Sequence, residues 1–190
     1  MMKDLVEVRW HGRGGQGAKT AAQFLAEAAL DTGKFIQAFP EYGPERAGAP
    51  IRTYTRISET PINLHCSVAN PEYVVVIDPT LATPKVVEGL NDQGILLVNT
   101  NESIDTIRKK TGFKKGKIAT VDATQIALDV LGIPMPNLPM LGALVKVVPL
   151  VKMDALCEKI KAKFSKKLGE EKTNANIAGI KRAYEEVKVG

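Results

Sequence analysis

Residues 5–30 read LVEVRWHGRGGQGAKTAAQFLAEAAL, and this stretch decides the fold class. Leu5 to Trp10 alternates apolar with polar residues, the pattern of a strand with two unlike faces. His11 to Gly17, HGRGGQG, is a glycine-rich turn. Ala18 to Leu30 is rich in alanine around Phe24 and Leu25 and predicts a helix that closes near Gly33. Strand, glycine turn and helix in that order open an α/β unit.

The pattern continues outward from there. Phe35 to Phe39 predicts a second strand. Glu41 to Pro50, EYGPERAGAP, predicts a loop, because its prolines and glycines break regular structure. Ile51 to Ile57 carries Arg52, Tyr54 and Arg56 in alternation and predicts a half-exposed third strand. Tyr73 to Ile77, YVVVI, is a continuous apolar run and suits a central strand covered on both faces. Thr80 to Leu90 predicts a short helix, Ile95 to Val98 and Lys117 to Val121 two further strands, and Ala123 to Leu131 a helix. Ile133 to Pro139 holds three prolines and reads as a connector before a buried helix, Leu141 to Val148. In the tail, Met153, Leu156, Ile160, Phe164 and Leu168 share one helical face. Asn174 can cap a last helix that carries Ile177, Ile180, Tyr184 and Val187. Alternating strands and helices predict a three-layer α/β/α sandwich around a mostly parallel sheet, one domain over residues 1–190. The Arg-rich third strand and the tail are candidates to pair antiparallel at an edge.

The chain has 190 residues, 44% hydrophobic and 25% charged, which is ordinary globular composition. Two cysteines, Cys66 and Cys157, exclude a disulfide scaffold and any four-cysteine cluster or zinc site held by this chain alone. The longest apolar stretch, Leu138 to Val151, is broken by Lys146 and Pro149 and is too short to span a bilayer. A signal-peptide core is absent, so a cytoplasmic, reduced protein is expected. The net charge of +5 is uneven: residues 1–100 hold 9 Lys/Arg against 11 Asp/Glu, and residues 101–190 hold 17 against 10. With aromatics at 5% and no RNA-binding signature, this reads as a solvated lysine-rich helix face rather than a nucleic-acid surface.

The turn itself admits two generic readings. Gly12, Gly14 and Gly17 spell G-x-G-x-x-G between strand and helix, with Glu41 about twenty residues on, as in a dinucleotide-binding unit for NAD(P) or FAD. Glu41, however, follows Pro40 and opens a loop instead of ending a strand. Gly12 to Gly17 also gives G-x-x-x-x-G, but Lys19-Thr20 come one residue late for a phosphate-binding P-loop, and one residue rotates a helical side chain by about 100°. In either case Gly12, Arg13, Gly14, Gly15, Gln16, Gly17 and Lys19 form a candidate anion site. Backbone N–H groups ahead of a helix and two cations point at it.

Taken together, HGRGGQG-AKTAAQFLAEA and FPEYGPERAGAP resemble the γ subunit of 2-oxoacid:ferredoxin oxidoreductases, most of all the pyruvate type. Asn137 with Leu141-Gly142-Ala143 and the asparagine-containing last helix follow in the expected order. The resemblance implies a non-catalytic subunit of a cytoplasmic complex that converts pyruvate, coenzyme A and oxidised ferredoxin to acetyl-CoA, carbon dioxide and reduced ferredoxin. It implies thiamine diphosphate and iron–sulfur clusters on partner subunits, with no catalytic and no metal-binding residue here. Coenzyme A is then the anion for the glycine turn. Glu41, Tyr42, Glu45 and Arg46 are the expected contacts to the partner subunits; arginine and tyrosine are residue types that anchor interfaces.

Overall fold

Three strands carry apolar residues on both faces, and this fixes the layers. Val75 and Ile77, Leu97, and Ala119 with Val121 point into one buried cluster. Val74 and Val76, Leu96 with Val98, and Ile118 point into another. A strand with this pattern is covered on both sides, which is the condition for a parallel sheet. The computed structural model describes residues 5–41 and 48–190.

The elements run β1 (Leu5–Arg13), α1 (Ala18–Leu30), β2 (Phe35–Pro40), β3 (Pro50–Ser58), β4 (Tyr73–Val76), β5 (Ile95–Asn99), α2 (Ile104–Thr111), β6 (Lys117–Val121), α3 (Ala123–Leu131), α4 (Asn137–Val147), α5 (Met153–Leu168), α6 (Glu170–Glu186) and β7 (Lys188–Val189). They form a seven-stranded sheet in the order β2-β3-β1-β4-β5-β6-β7. β1, β4, β5 and β6 are mutually parallel. β3 is antiparallel to both β1 and β2, and β7 is antiparallel to β6. Helices α1, α3, α4, α5 and α6 cover one face and α2 with two short turns covers the other. The α/β/α sandwich is as expected, with antiparallel strands added at both sides.

Several local expectations are corrected. β3 is not an edge: it lies between β1 and β2, while the tail strand β7 does pair antiparallel at an edge, against β6 at the opposite side of the sheet. Nor is β3 half-exposed, since Thr53 to Ser58 are buried. Thr80 to Leu90 is not a helix. It forms two 3₁₀ turns, Pro79–Leu81 and Pro84–Val87. Pro84 lacks the N–H that a continuous helix needs and disfavours helical backbone at Thr83. The buried helix begins at Asn137, because Pro139 falls within its first turn, where a missing N–H goes unused. The last helix begins at Glu170 after Gly169, so Asn174 lies inside it and caps nothing. Helix α2 is an addition. Ser103 accepts the Thr106 N–H at its start, and Gly112 closes it at φ 69°.

Two close approaches set the helix layer. A Cβ on Gly142 of α4 would stand 2.1 Å from the Ile180 carbonyl oxygen of α6, so only glycine lets these helices pack at that spacing. Phe164 of α5 meets Phe24 of α1 edge to face, with ring centres 5.3 Å apart.

Candidate functional site

β1 runs through Gly12 to Arg13, so the true turn is Gly14–Gly17. Gly12 is a buried strand residue whose Cβ position is 3.4 Å from Ala18 Cβ, a spacing that suits close packing of β1 on α1. Gly15 and Gly17 have φ values of 96° and 75°, which a residue with a Cβ adopts at a penalty. Gly17 caps α1 without a side chain, and the first N–H groups of that helix have no intrahelical acceptor. Their partial positive charge is what an anion would meet. Lys19 is exposed on the first turn of α1.

Chain α1 leaves β1 toward one face, and the segment after β4 leaves toward the other. The C-terminal ends of β1 and β4 therefore flank a topological switch point, where open α/β sheets form a crevice. Asp78 sits there, 7% exposed. Its Oδ1 accepts from the Thr80 N–H at 2.9 Å and from the Thr80 hydroxyl. Its Oδ2 accepts from Gln16 Nε2 at 2.6 Å and pairs with Arg13 Nε at 3.2 Å. Burial alone would raise this carboxyl, but the bonds from Thr80 and Gln16 and the Arg13 charge outweigh it and hold it below the usual carboxylate range. Arg13 also donates to the Gly48 carbonyl at 3.1 Å and to the Thr80 hydroxyl at 2.9 Å. The two side chains expected to face an anion, Arg13 and Gln16, are thus turned inward onto Asp78.

The turn opens on its other side to a cavity of about 690 Å³. Gly15, Gly17 and Thr20 form its floor, and Val130, Leu131, Ile133, Met135, Leu138, Phe164 and Leu168 its apolar walls. Asn137, Glu171, Lys172 and Asn176 supply the polar groups. Asn137 is buried and its Nδ2 donates to the Gly17 carbonyl at 3.2 Å. This volume lies in the range of small-molecule sites, about 300–1,000 Å³. Sequence reading weighed Thr20 only as part of an out-of-register P-loop and did not single out Lys172 and Asn176, because nothing in their local pattern sets them apart; α6 brings these two to the cavity only in the fold.

Glu41 is two strands away from β1. Its carboxylate takes the Tyr54 hydroxyl at 3.0 Å and pairs with Arg52 Nε at 2.5 Å. The strand after α1 is β2, an antiparallel edge strand rather than the neighbour of β1, so Glu41 is not placed to read a ribose at the turn. The dinucleotide reading loses its acid. Tyr42, Glu45 and Arg46 lie outside the described residues.

On the far face of β1, Arg9 and His11 are buried. Arg9 donates to His11 Nε2 at 3.2 Å and to the carbonyls of Val86 and Glu88 at 3.1 and 2.6 Å. Burial, then the charges of Arg9 and Arg52, push the His11 pKa down to about 3, so it is a neutral acceptor. Among the described residues no group of three or more His, Cys, Asp or Glu is arranged to hold a metal ion. Nor is any helix among them long and apolar enough to cross a membrane.

This chain belongs to the pyruvate ferredoxin/flavodoxin oxidoreductase family, whose model matches residues 7–186. It is 54% identical over 186 residues to pyruvate synthase subunit PorC of Thermotoga maritima, covering 98% of this chain and 96% of that protein. It is 47% identical to the pyruvate/ketoisovalerate oxidoreductases common subunit gamma of Pyrococcus furiosus, covering 97% and 98%. The crystal structure of the T. maritima pyruvate oxidoreductase subunit PORC (EC 1.2.7.1) superposes with a TM-score of 0.90 at 52% identity, over 99% of both chains.

Proposed function

We propose that this chain is the γ subunit of a cytoplasmic pyruvate:ferredoxin oxidoreductase, one γ domain over residues 1–190, working only within a complex of several subunits. The observation that carries the reading is the 54% identity to pyruvate synthase subunit PorC over 98% of the chain. The similarity to a subunit common to pyruvate and ketoisovalerate oxidoreductases fits a role that leaves the choice of 2-oxoacid to other chains. Thiamine diphosphate and iron–sulfur clusters belong to the partner subunits; when bound there they supply the electron sink for 2-oxoacid cleavage and the one-electron path to ferredoxin. The two cysteines of this chain cannot hold a four-thiolate cluster by themselves.

Within that assembly the chain has two tasks. Glu41, Tyr42, Glu45 and Arg46 contact a partner subunit. The cavity at the start of α1 helps receive coenzyme A: Gly15, Gly17 and the first N–H groups of α1 face the phosphates, with Lys172 at the rim, and the apolar walls take the uncharged part.

The test is reconstitution. The isolated chain, given pyruvate, coenzyme A, thiamine diphosphate and a viologen dye, gives no turnover. Adding it to a complex purified without it restores coenzyme A-dependent pyruvate oxidation. Turnover by the chain alone, or full activity without it, overturns the subunit reading. Ala175 of α6 also lines the cavity, and filling it with Ala175→Trp raises KM for coenzyme A; an unchanged KM removes the coenzyme A task and leaves the subunit reading standing.

A further inference from the structure

We infer that Asp78 is a positioning residue: it fixes the glycine turn and, through Arg13, ties that turn to Gly48 and Ala49 ahead of β3. For the ligand that the turn serves, this rests on the coenzyme A reading above. The positional claim stands on geometry alone.

All the hydrogen bonds that Asp78 accepts come from donors, and both oxygens are in use. Thr80 N–H and hydroxyl take Oδ1, and Gln16 Nε2 at 2.6 Å and Arg13 Nε at 3.2 Å take Oδ2. Gln16 is in turn folded across the turn, where its Oε1 accepts the Arg13 N–H at 2.8 Å while its own N–H reaches the Arg13 carbonyl at 3.1 Å. The carboxylate therefore determines which way Gln16 points, and Gln16 determines the shape of the turn. Arg13 carries the effect further. Its Nη1 holds the Gly48 carbonyl at 3.1 Å. Beside it, Gly14 N–H donates to the Ala49 carbonyl at 3.0 Å and Gly48 N–H to the Gly14 carbonyl at 3.2 Å. The two sequence motifs, bridged between Arg13 and Gly48, which are 35 residues apart in the chain, are joined into one piece whose orientation is set from the end of β4, a third element.

Asp78→Asn tests this with almost no change in volume. An amide has one acceptor oxygen and one donor nitrogen, so in either orientation it sets an N–H against donors, those of Gln16 and Arg13 or that of Thr80. In the isolated full chain, exchange of the Arg13, Gly14, Gln16 and Gly48 amides should quicken about tenfold or more, with β5 and β6 amides unchanged. Arg13→Lys keeps the charge but lacks the planar fork, and should quicken Gly48 while sparing Gln16. In the reconstituted complex Asp78→Asn should raise KM for coenzyme A about tenfold and leave kcat within about twofold. Unchanged exchange at these amides in Asp78→Asn overturns the inference whatever KM does, and so does quickening spread evenly over the sheet. Quickened exchange at the turn with KM unmoved, in both Asp78→Asn and the cavity-filling Ala175→Trp, upholds the positional role and removes the coenzyme A reading instead.

Discussion

Replacing Gly17 by alanine separates two reasons for a glycine at that position. Gly17 lies at φ 75°, and a Cβ there would come 2.4 Å from Asn137 Nδ2 and 2.8 Å from its Cγ. The left-handed backbone alone disfavours alanine by about 1–2 kcal/mol. Forcing Asn137 aside in a packed site adds about 1–3 kcal/mol and breaks its bond to the Gly17 carbonyl. Together the loss is about 2–5 kcal/mol, which for a chain of this size is a fall in melting temperature of roughly 5–15 °C. Gly15 is the internal control. Its φ is 96°, but nothing lies within 4 Å of its Cβ position. Gly15→Ala should therefore lose only the backbone part, about 1–2 kcal/mol and roughly 2–6 °C. Thermal melts of Gly17→Ala, Asn137→Ala and the double variant form a cycle, and the coupling expected from relieving the contact is about 1–3 kcal/mol. If Gly17→Ala and Gly15→Ala melt together, and the coupling is below about 0.5 kcal/mol, then α4 does not press on the turn and the close approach has been misjudged.

Three further outcomes are expected. Glu7→Ala strands Arg56, whose side chain is 1% exposed and pairs with Glu7 at 2.7 Å, and should lower stability by about 3 kcal/mol in urea titrations; a loss under about 1 kcal/mol would mean that the Gln37, Leu64 and Cys66 oxygens suffice. The folded pKa of His11, about 3, lies below its ordinary 6.5, so protonation opposes folding: its contribution is complete above about pH 6.5 and is lost as pH falls toward 3. The unfolding free energy from urea titrations should thus fall between about pH 6.5 and 5 by up to about 1.4 kcal/mol per unit, and His11→Gln, which keeps an acceptor for Arg9, should flatten that slope; an equal slope in both proteins refutes the assignment. Arg46→Ala should leave the stability of the isolated chain within about 0.5 kcal/mol of wild type yet weaken assembly at least about tenfold, or about 1.4 kcal/mol, by sedimentation with the partner subunits; a variant that melts several degrees lower but assembles normally would make Arg46 an internal strut.

The parallel centre of this molecule is written in its local sequence. YVVVI suits a strand covered on both faces, and β1, the glycine turn and α1 follow from alternation, glycine and alanine content in one continuous stretch. The pairing of HGRGGQG with the EYGPERAGAP loop carried the family, because two specific segments in order are far less common than either alone. What failed locally failed for local reasons, as where Pro84 divides a stretch whose composition otherwise favours helix.

The site was decided by contacts between distant parts of the chain. Sequence placed Arg13 and Gln16 beside a helix N-terminus, and by charge and position they belonged to a ligand. The fold sets Asp78 of the β4 end against them, and both side chains bond to its carboxylate. It likewise gives Glu41 to Tyr54 and Arg52, because the strand before it runs antiparallel at the edge of the sheet and not beside β1. Periodicity tells which face of a strand is apolar but not which strand lies next to it, and a cavity among α1, α3, α4, α5 and α6 has no signature in any one of those segments. Local residue pattern therefore determined the elements and the family. The order of strands and the crossing of helices, set by burial of both sheet faces, determined which polar groups meet and which remain facing the cavity.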